Sequence, residues 1–293
     1  MKRTIRNILI FFCILFCTVN QAYAIRIGLM EGKNDIVIAV SQRGRLIDAN
    51  KRKTIIELKP MKKYVIKKHF NNIAIKLPDD KKFYTTKTNN LIFTTDKNAF
   101  IFTKGKWYRG NMIAQIRGRG ITVINDVPLE YYLLGVVPSE MPSKWNIEAL
   151  KAQAIAARSY AVANMGKRGS RGYDLKDTPE DQAYGGASAE TKSTNLAVRS
   201  TLGQVLMYQN KVIPAYYHAS AGGHTNNSGK SWTKDMPFLA SVPSFDSNIP
   251  RKGHGIGLSQ YGANNMSKEG YNAYQILNYF YKDVRLGKLN TSF

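Results

Sequence analysis

The residue best suited to acid–base chemistry in this sequence is a glutamate held between two prolines. Glu140 lies in the run PSEMPSKW, where Pro138 and Pro142 restrict the backbone on either side. A helical pattern follows, and its N-terminus is a favourable place for an anion or a polar sugar group. A rigid, partly desolvated site raises the pKa of a carboxyl toward neutrality, so that the group can donate a proton. The plainer alternative is that Glu140 only pairs with Arg158 or a lysine.

An alanine-rich helix over residues 147–165 is the element expected to position this glutamate. Its apolar side chains recur at spacings of three and four, Asn146 is suited to be its N-cap, and Gly166 is suited to end it. Before it, VPLEYYLLGVV predicts a shorter helix that Gly135 and Pro138 should end.

The rest of the chain predicts an α+β fold. Residues 25–108 form a predicted β-rich region, because short runs such as IRIGLM, DIVIAV, KYVIK, IAIKL, LIFTT and AFIFT are separated by Gly, Asn, Asp and Lys. Residues 109–293 form the predicted mixed α/β core. Within this core, VLMYQ and VIPAYYH have a β pattern, and two helical patterns lie near 258–268 and 272–282.

The first 24 residues have the pattern of a secretory signal. A basic stretch with Lys2, Arg3 and Arg6 precedes a short apolar run, and a small-x-small site ends at Ala24. The apolar run is shorter than the roughly 20 residues that a membrane-spanning helix needs, so an N-terminal anchor is the alternative. Both cysteines lie inside this segment, at positions 13 and 17. We therefore expect an extracytoplasmic protein, in the periplasm or cell wall, without a disulfide bond.

The charge of the chain suggests polyanionic partners. The formal net charge is +23, which favours association with polyanions. For an exported protein these are wall polymers and lipid head groups, so peripheral wall or membrane association is one expectation. A solvated basic surface without a specific partner is the other. A nucleic-acid binder would have the same charge, but no recognition motif is present, and we predict no nucleic-acid partner.

Four segments of the chain resemble the SpoIID/LytB family, which comprises stage II sporulation protein D and its relatives. They are NDVPLEYYLLGVVPSEMPSKWNIEALKAQAIAARSYA at 125–161, the pattern DxxxxQxYxG at 177–186, YYHASAGGHT at 216–225 and GHGIGLSQYGA at 253–263. These segments are long and specific, and they occur in the order that is typical of the family.

The resemblance implies a lytic transglycosylase that acts on peptidoglycan. The glutamate of the SEMP motif, here Glu140, is then the acid/base group. It protonates the glycosidic oxygen between N-acetylmuramic acid and N-acetylglucosamine, and the 6-hydroxyl of the sugar attacks C1 to leave a 1,6-anhydro end. One carboxylate suffices, whereas a hydrolase needs two; Glu130 has no spacing that makes it a partner. The alternative within the family is a non-catalytic, glycan-binding wall protein or amidase enhancer.

The resemblance also indicates the residues that line the substrate groove. Amide and aromatic groups suit sugars, although Arg158 and Tyr160 are equally suited to satisfying backbone groups, and Trp232 to filling a core. The predicted substrate-binding residues are Arg158, Tyr160, Gln182, Tyr184, Ser220, His224, Trp232, His254, Ser259 and Gln260. Peptidoglycan glycan strands are the expected partner, with other wall hydrolases or amidases as further partners.

The sequence lacks the patterns of a metal site and also lacks one insertion that is common in the family. The histidines at 218, 224 and 254 lack the HExxH spacing of a zinc site, so we predict no metal and no cofactor. Some family members have a Cys/His zinc cluster before QxYxG; here Lys176, Glu180 and Asp181 stand in that stretch, and packing or salt bridges must order it instead. A long insertion that is common in the family between Asp246 and Gly253 is also missing.

Overall fold

The structure is a computed structural model that describes residues 23–96, 98–232 and 235–293. The predicted signal segment, including both cysteines, falls almost entirely outside the described residues and stays a prediction. Within the described ranges, no helix is both long and apolar enough to cross a membrane.

Strands dominate the first half of the described chain, and helices the second. The strands are β1 (Ala24–Lys33), β2 (Asp35–Val40), β3 (Gly44–Asp48), β4 (Lys53–Leu58), β5 (Tyr64–His69), β6 (Asn72–Lys76), β7 (Tyr84–Thr85), β8 (Asn90–Thr95), β9 (Ile101–Thr103), β10 (Lys106–Tyr108), β11 (Asn111–Arg117), β12 (Gly120–Pro128), β13 (Leu175–Lys176), β14 (Gln204–Tyr208), β15 (Lys211–Val212), β16 (Tyr217–His218), β17 (Leu258–Ser259) and β18 (Arg285–Lys288). The helices are α1 (Leu129–Glu140), α2 (Ile147–Ala163), α3 (Lys192–Ser200), α4 (Ser228–Ser231), α5 (Gln260–Lys268) and α6 (Ala273–Phe280). The predicted α+β class is confirmed.

Two large sheets contribute to one hydrophobic core. The seven-stranded sheet has the order β13-β1-β12-β11-β8-β3-β4, and the six-stranded sheet has the order β10-β9-β2-β5-β6-β7. Ile38 and Ile66 from the second sheet share a buried cluster with Phe93 and Val123 from the first. Because β11 pairs with β8, the first sheet continues across residue 108, where we predicted a domain boundary from the sequence. That division remains a prediction.

Helix α1 runs further than the sequence predicted. Gly135 and Pro138 do not end it: the helix continues to Glu140, and Met141 follows in an extended conformation with φ −124° and ψ 142°. The physical reason is the next residue, because Pro142 disfavours helical backbone at the position before it. Glu140 is thus the last residue of α1, and not a residue at the N-terminus of the following helix.

Gly135 has a packing role inside α1. A Cβ added there would lie 2.6 Å from a ring carbon of Tyr184 and 2.8 Å from the carbonyl oxygen of Gly186. Only glycine allows this close approach. The helix that ends at Glu140 is therefore packed tightly against the segment around residue 185.

Helix α2 begins as predicted and ends slightly before the predicted position. The Asn146 side chain accepts a hydrogen bond from the Glu148 N–H, which satisfies one free donor of the first turn. The alanines are buried along most of the helix, so neighbouring elements pack closely around it.

Candidate functional site

Glu140 lies in the wall of an open cavity of about 630 Å³. The walls come from the end of α1, the later part of α2, the loop of residues 179–183, strand β16 and the segment 252–260. Of the residues predicted from the sequence, five line this cavity: Glu140, Tyr160, Trp232, His254 and Gln260.

Two hydrogen bonds hold the Glu140 carboxyl group. Its Oε1 accepts from the Ala183 backbone N–H at 2.7 Å, and its Oε2 accepts from Gln260 Nε2 at 3.4 Å. The Tyr217 hydroxyl lies beside this group and favours its ionised form. Burial raises the pKa of Glu140, and these hydrogen bonds offset the increase only in part. The arrangement therefore suits a group that carries and delivers a proton.

The plainer alternative for Glu140 was an ion pair with Arg158 or a lysine. Instead, Arg158 pairs with Glu130, through Nε to Oε1 at 2.8 Å and NH2 to Oε2 at 2.7 Å. Both side chains are fully buried, so Arg158 lies in the core and not in the cavity wall. Among the residues that the structure describes, no cation forms an ion pair with Glu140.

Two residues of the QxYxG pattern lie behind the cavity wall. Gln182 is fully buried, and its Nε2 donates to the Tyr217 hydroxyl oxygen at 2.9 Å, so it can orient the tyrosine that contacts Glu140. The buried Tyr184 donates its hydroxyl to Asn125 Oδ1 at 2.9 Å. Both therefore support the site from behind its surface.

Asp246 connects the glycine-rich turn to the start of α5. Its Oδ2 accepts from Ser259 Oγ at 2.6 Å and from the Ala221 N–H at 2.7 Å, and its Oδ1 accepts from the Gly223 N–H at 3.1 Å. Burial acts to raise the pKa of Asp246, but these hydrogen bonds outweigh it and the pKa is lowered. The predicted residue Ser259 is thus an anchor below the surface, held by a buried carboxylate that the sequence did not identify as functional.

The remaining two predicted residues lie outside the cavity wall. Ser220 is buried and donates its hydroxyl to the Pro250 carbonyl oxygen at 2.6 Å. His224 is exposed, and its Nδ1 lies 2.9 Å from Ser241 Oγ.

Aromatic and imidazole rings form the wall at one end of the cavity. The Trp232 ring lies 5.3 Å from the His254 ring, and the His218 ring lies 5.5 Å from His254, between centroids. His218 Nδ1 lies 3.1 Å from the Ile256 carbonyl oxygen, which can only accept, so Nδ1 carries the hydrogen. Burial, and then the neighbouring His254, lowers the pKa of His218 to about 4. This ring is therefore neutral at neutral pH.

Salt bridges order the stretch where some family members have a zinc cluster. Asp181 binds Lys167 Nζ at 2.7 Å and Arg168 Nε at 2.5 Å, and Glu180 binds Lys176 Nζ at 2.7 Å. Three cations around two carboxylates do not fit a metal ion. Within the described ranges, no group of three or more His, Cys, Asp or Glu side chains is placed to hold one.

Sequence reasoning missed Tyr217 and the Ala183 N–H as contacts of Glu140. Tyr217 is inside the YYHASAGGHT segment, but its residue type does not distinguish it from Tyr216. Both tyrosines line the cavity, and only the folded arrangement shows that Tyr217 is the one beside Glu140. A backbone N–H such as that of Ala183 leaves no signal in a sequence.

Comparisons with known proteins agree with the resemblance seen in the sequence. A family model described as stage II sporulation protein (SpoIID) matches residues 117–208. An amidase enhancer of Bacillus subtilis (strain 168) is 40% identical over 128 residues, which cover 44% of this chain and 17% of that protein. Stage II sporulation protein D of the same strain is 28% identical over 260 residues, covering 56% of this chain and 76% of that protein. The corresponding protein of Bacillus amyloliquefaciens is 39% identical over 144 residues, covering 44% and 42%. The chain thus spans less than half of the length of two of these three relatives.

Proposed function

Because the chain belongs to the SpoIID family, we propose that it is a lytic transglycosylase that cleaves peptidoglycan glycan strands with Glu140 as its single acid/base group. The observation that carries the proposal is the environment of this carboxyl group. It lies in the wall of an open cavity, without a cationic partner among the described residues, and burial raises its pKa. A cell-wall role agrees with the printed names of the relatives.

The other two carboxylates in the cavity walls are occupied. The hydrogen bond and charge of Lys176 lower the pKa of Glu180. Burial acts to raise the pKa of Asp181, but hydrogen bonds from Arg168 and Lys167 outweigh it and the pKa is lowered. A glycoside hydrolase needs a second carboxylate that activates water or attacks the sugar. Carboxylates held in this way support a reaction in which the nucleophile belongs to the substrate.

In the proposed reaction, protonated Glu140 donates its proton to the glycosidic oxygen between N-acetylmuramic acid and N-acetylglucosamine. The resulting carboxylate accepts the proton of the 6-hydroxyl as that oxygen attacks C1, which closes the 1,6-anhydro ring. The Ala183 N–H and Gln260 bind opposite carboxyl oxygens, so they stabilise the anion that exists between the two transfers. Protons and bonds balance without water or a cofactor.

The location and partners follow as parts of the same proposal. We place the protein outside the cytoplasm, after removal of a signal segment near Ala24, with an N-terminal membrane anchor as the alternative. Glycan strands are the substrate, and other wall hydrolases or amidases are further partners. The net positive charge of the chain favours association with anionic wall polymers or lipid head groups.

The test is product analysis. Purified protein lacking residues 1–24 is incubated with sacculi and with glycan stripped of stem peptides, and the released material is examined by mass spectrometry. We expect products with 1,6-anhydro ends from wild type and at least about 10³-fold less from Glu140→Gln. Glu57→Gln, on the exposed side of β4, is the matched control and should retain activity. Products with reducing ends would contradict the proposed reaction.

A second candidate function is glycan binding without cleavage. It is favoured by the similarity to a protein named amidase enhancer. Sedimentation with sacculi separates the two functions, because Glu140→Gln should still bind glycan while it no longer cuts. A wild-type protein that pellets with sacculi and releases no fragments, with or without stem peptides, would establish the second candidate in place of the first.

A further inference from the structure

The loop of residues 177–183, here called the acidic loop, carries the backbone donor that binds Glu140. The N–H of Ala183 donates to Glu140 Oε1 at 2.7 Å, and this is the shorter of the two hydrogen bonds to this carboxyl group. Pro179, Glu180 and Asp181 of the same loop line the cavity. The position of the acidic loop therefore determines whether Glu140 keeps its strongest hydrogen bond.

Asp181 connects this loop to the end of α2. Its side chain has no exposed surface, although it belongs to a loop near the surface. Oδ1 accepts from Lys167 Nζ at 2.7 Å, and Oδ2 accepts from Arg168 Nε at 2.5 Å and from the Lys176 N–H at 2.8 Å. One buried carboxylate thus connects the turn after α2, strand β13 and the acidic loop.

The neighbouring Glu180 also forms ion pairs, but its side chain is exposed. It binds Lys176 Nζ and Arg168 NH2, but its side chain is 56% exposed. Exposed ion pairs contribute little, because water screens the charges and long side chains lose freedom. Buried pairs differ, since removing one partner leaves an uncompensated charge. The two adjacent carboxylates are therefore expected to contribute very differently to the order of the loop.

We propose that Asp181 is a positioning residue for the acid/base group: it holds the acidic loop so that the Ala183 N–H stays on Glu140. Without its charge, Lys167 and Arg168 face each other with no buried anion between them, and the loop detaches from α2. Lys167 Nζ also lies 3.3 Å from the Tyr160 hydroxyl in the cavity wall. The inference rests on the proposed function only for its effect on cleavage, and not for the loop itself.

The test measures amide hydrogen exchange at Ala183 by mass spectrometry, without any glycan. We expect the Ala183 amide to exchange at least about tenfold faster in Asp181→Asn than in wild type. Glu180→Gln is the matched control and should leave this exchange rate unchanged. Glu140→Ala, which removes the acceptor, gives the reference rate for a released Ala183 N–H.

A second variant keeps the test decisive if Asp181→Asn fails to fold. Lys167→Met removes one partly exposed cation and should give a smaller acceleration at the same amide. Slow exchange at Ala183 in the folded variants would overturn the proposal, as would equal effects of Asp181→Asn and Glu180→Gln. If cleavage is also measured, the loss of the Ala183 hydrogen bond raises the pKa of Glu140, and the basic limb of the rate profile moves to higher pH. Fast exchange in a protein that cuts no glycan would leave the positioning role intact and reject only the proposed function.

Discussion

Arg158 and Glu130 form a fully buried ion pair with two parallel hydrogen bonds, 2.8 and 2.7 Å long, between α2 and α1. The Gly203 N–H donates to the same carboxylate at 3.3 Å, and Arg158 NH1 donates to the Gln204 carbonyl oxygen at 3.1 Å. The pair thus joins two helices to the segment that leads into β14. The two glutamates of α1 therefore have different roles. Glu130 stabilises the core, whereas Glu140, ten residues later, faces the cavity.

Breaking this pair should destabilise the fold strongly. We expect Arg158→Met to lower the free energy of unfolding by about 3–5 kcal/mol, because it leaves a buried carboxylate without its cation. Urea denaturation followed by circular dichroism measures the loss. The double variant Arg158→Met/Glu130→Gln should be more stable than the sum of the single changes predicts. Additive losses would show that the two side chains do not act as a pair.

The sequence predicted the secondary structure around the site better than it predicted which side chains face the cavity. Asn146 and the alanine pattern identified α2 because capping and periodicity are local signals. The same pattern could not show whether Arg158 faces the cavity or the core. Helix α2 is buried on nearly all sides, so it has no polar face that would mark the side of the cavity. The predicted burial of the helix therefore did not indicate which of its polar residues faces the cavity.

The end of α1 shows a different limit. From the sequence we predicted that Gly135 and Pro138 end the helix, because these residue types usually break helices. In the structure, Gly135 is required by the close approach of Tyr184 and Gly186. That approach joins residues about 50 positions apart in the chain. Non-local packing of this kind overrides local propensity.

Gly135→Ala tests this packing directly. Alanine favours helix by about 1 kcal/mol, but the added Cβ would lie 2.6 Å from the Tyr184 ring and 2.8 Å from a backbone oxygen that cannot easily move. We expect a net loss of about 1–3 kcal/mol in the free energy of unfolding, with slower glycan cleavage because the end of α1 carries Glu140. Gly169→Ala is the control, since nothing lies within 4 Å of its added Cβ. A Gly135→Ala protein as stable as wild type would contradict the packing argument.

His218 should make the fold sensitive to acid. Burial lowers its pKa in the folded protein to about 4 from the ordinary value of 6.5, so between these values the unfolded chain binds a proton that the folded protein does not. Stability from this residue is therefore present above pH 6.5 and is lost as pH falls toward 4. From pH 7 to pH 4.5, wild type should lose about 2 kcal/mol more than His218→Gln in urea denaturation.

The control for this measurement is His69→Gln, a change at the exposed end of β5. It should keep the pH response of wild type. An identical pH response in wild type and His218→Gln would mean that the buried ring does not lower the stability of the fold in acid.

Tyr217→Phe should change the pH dependence of cleavage. The Tyr217 hydroxyl lowers the pKa of Glu140 because it favours the ionised carboxylate beside it, so its removal raises this pKa. The proposed reaction begins with protonated Glu140, and kcat/KM therefore falls as pH rises through this pKa. We expect the basic limb of the profile to move to higher pH in Tyr217→Phe. The maximal rate should fall about tenfold or more, because the intermediate carboxylate loses a neighbouring hydroxyl that stabilises its charge. Tyr271→Phe, an exposed position outside the cavity, should leave the profile unchanged. A basic limb that stays in place, or moves to lower pH, would show that Tyr217 does not tune the acid/base group.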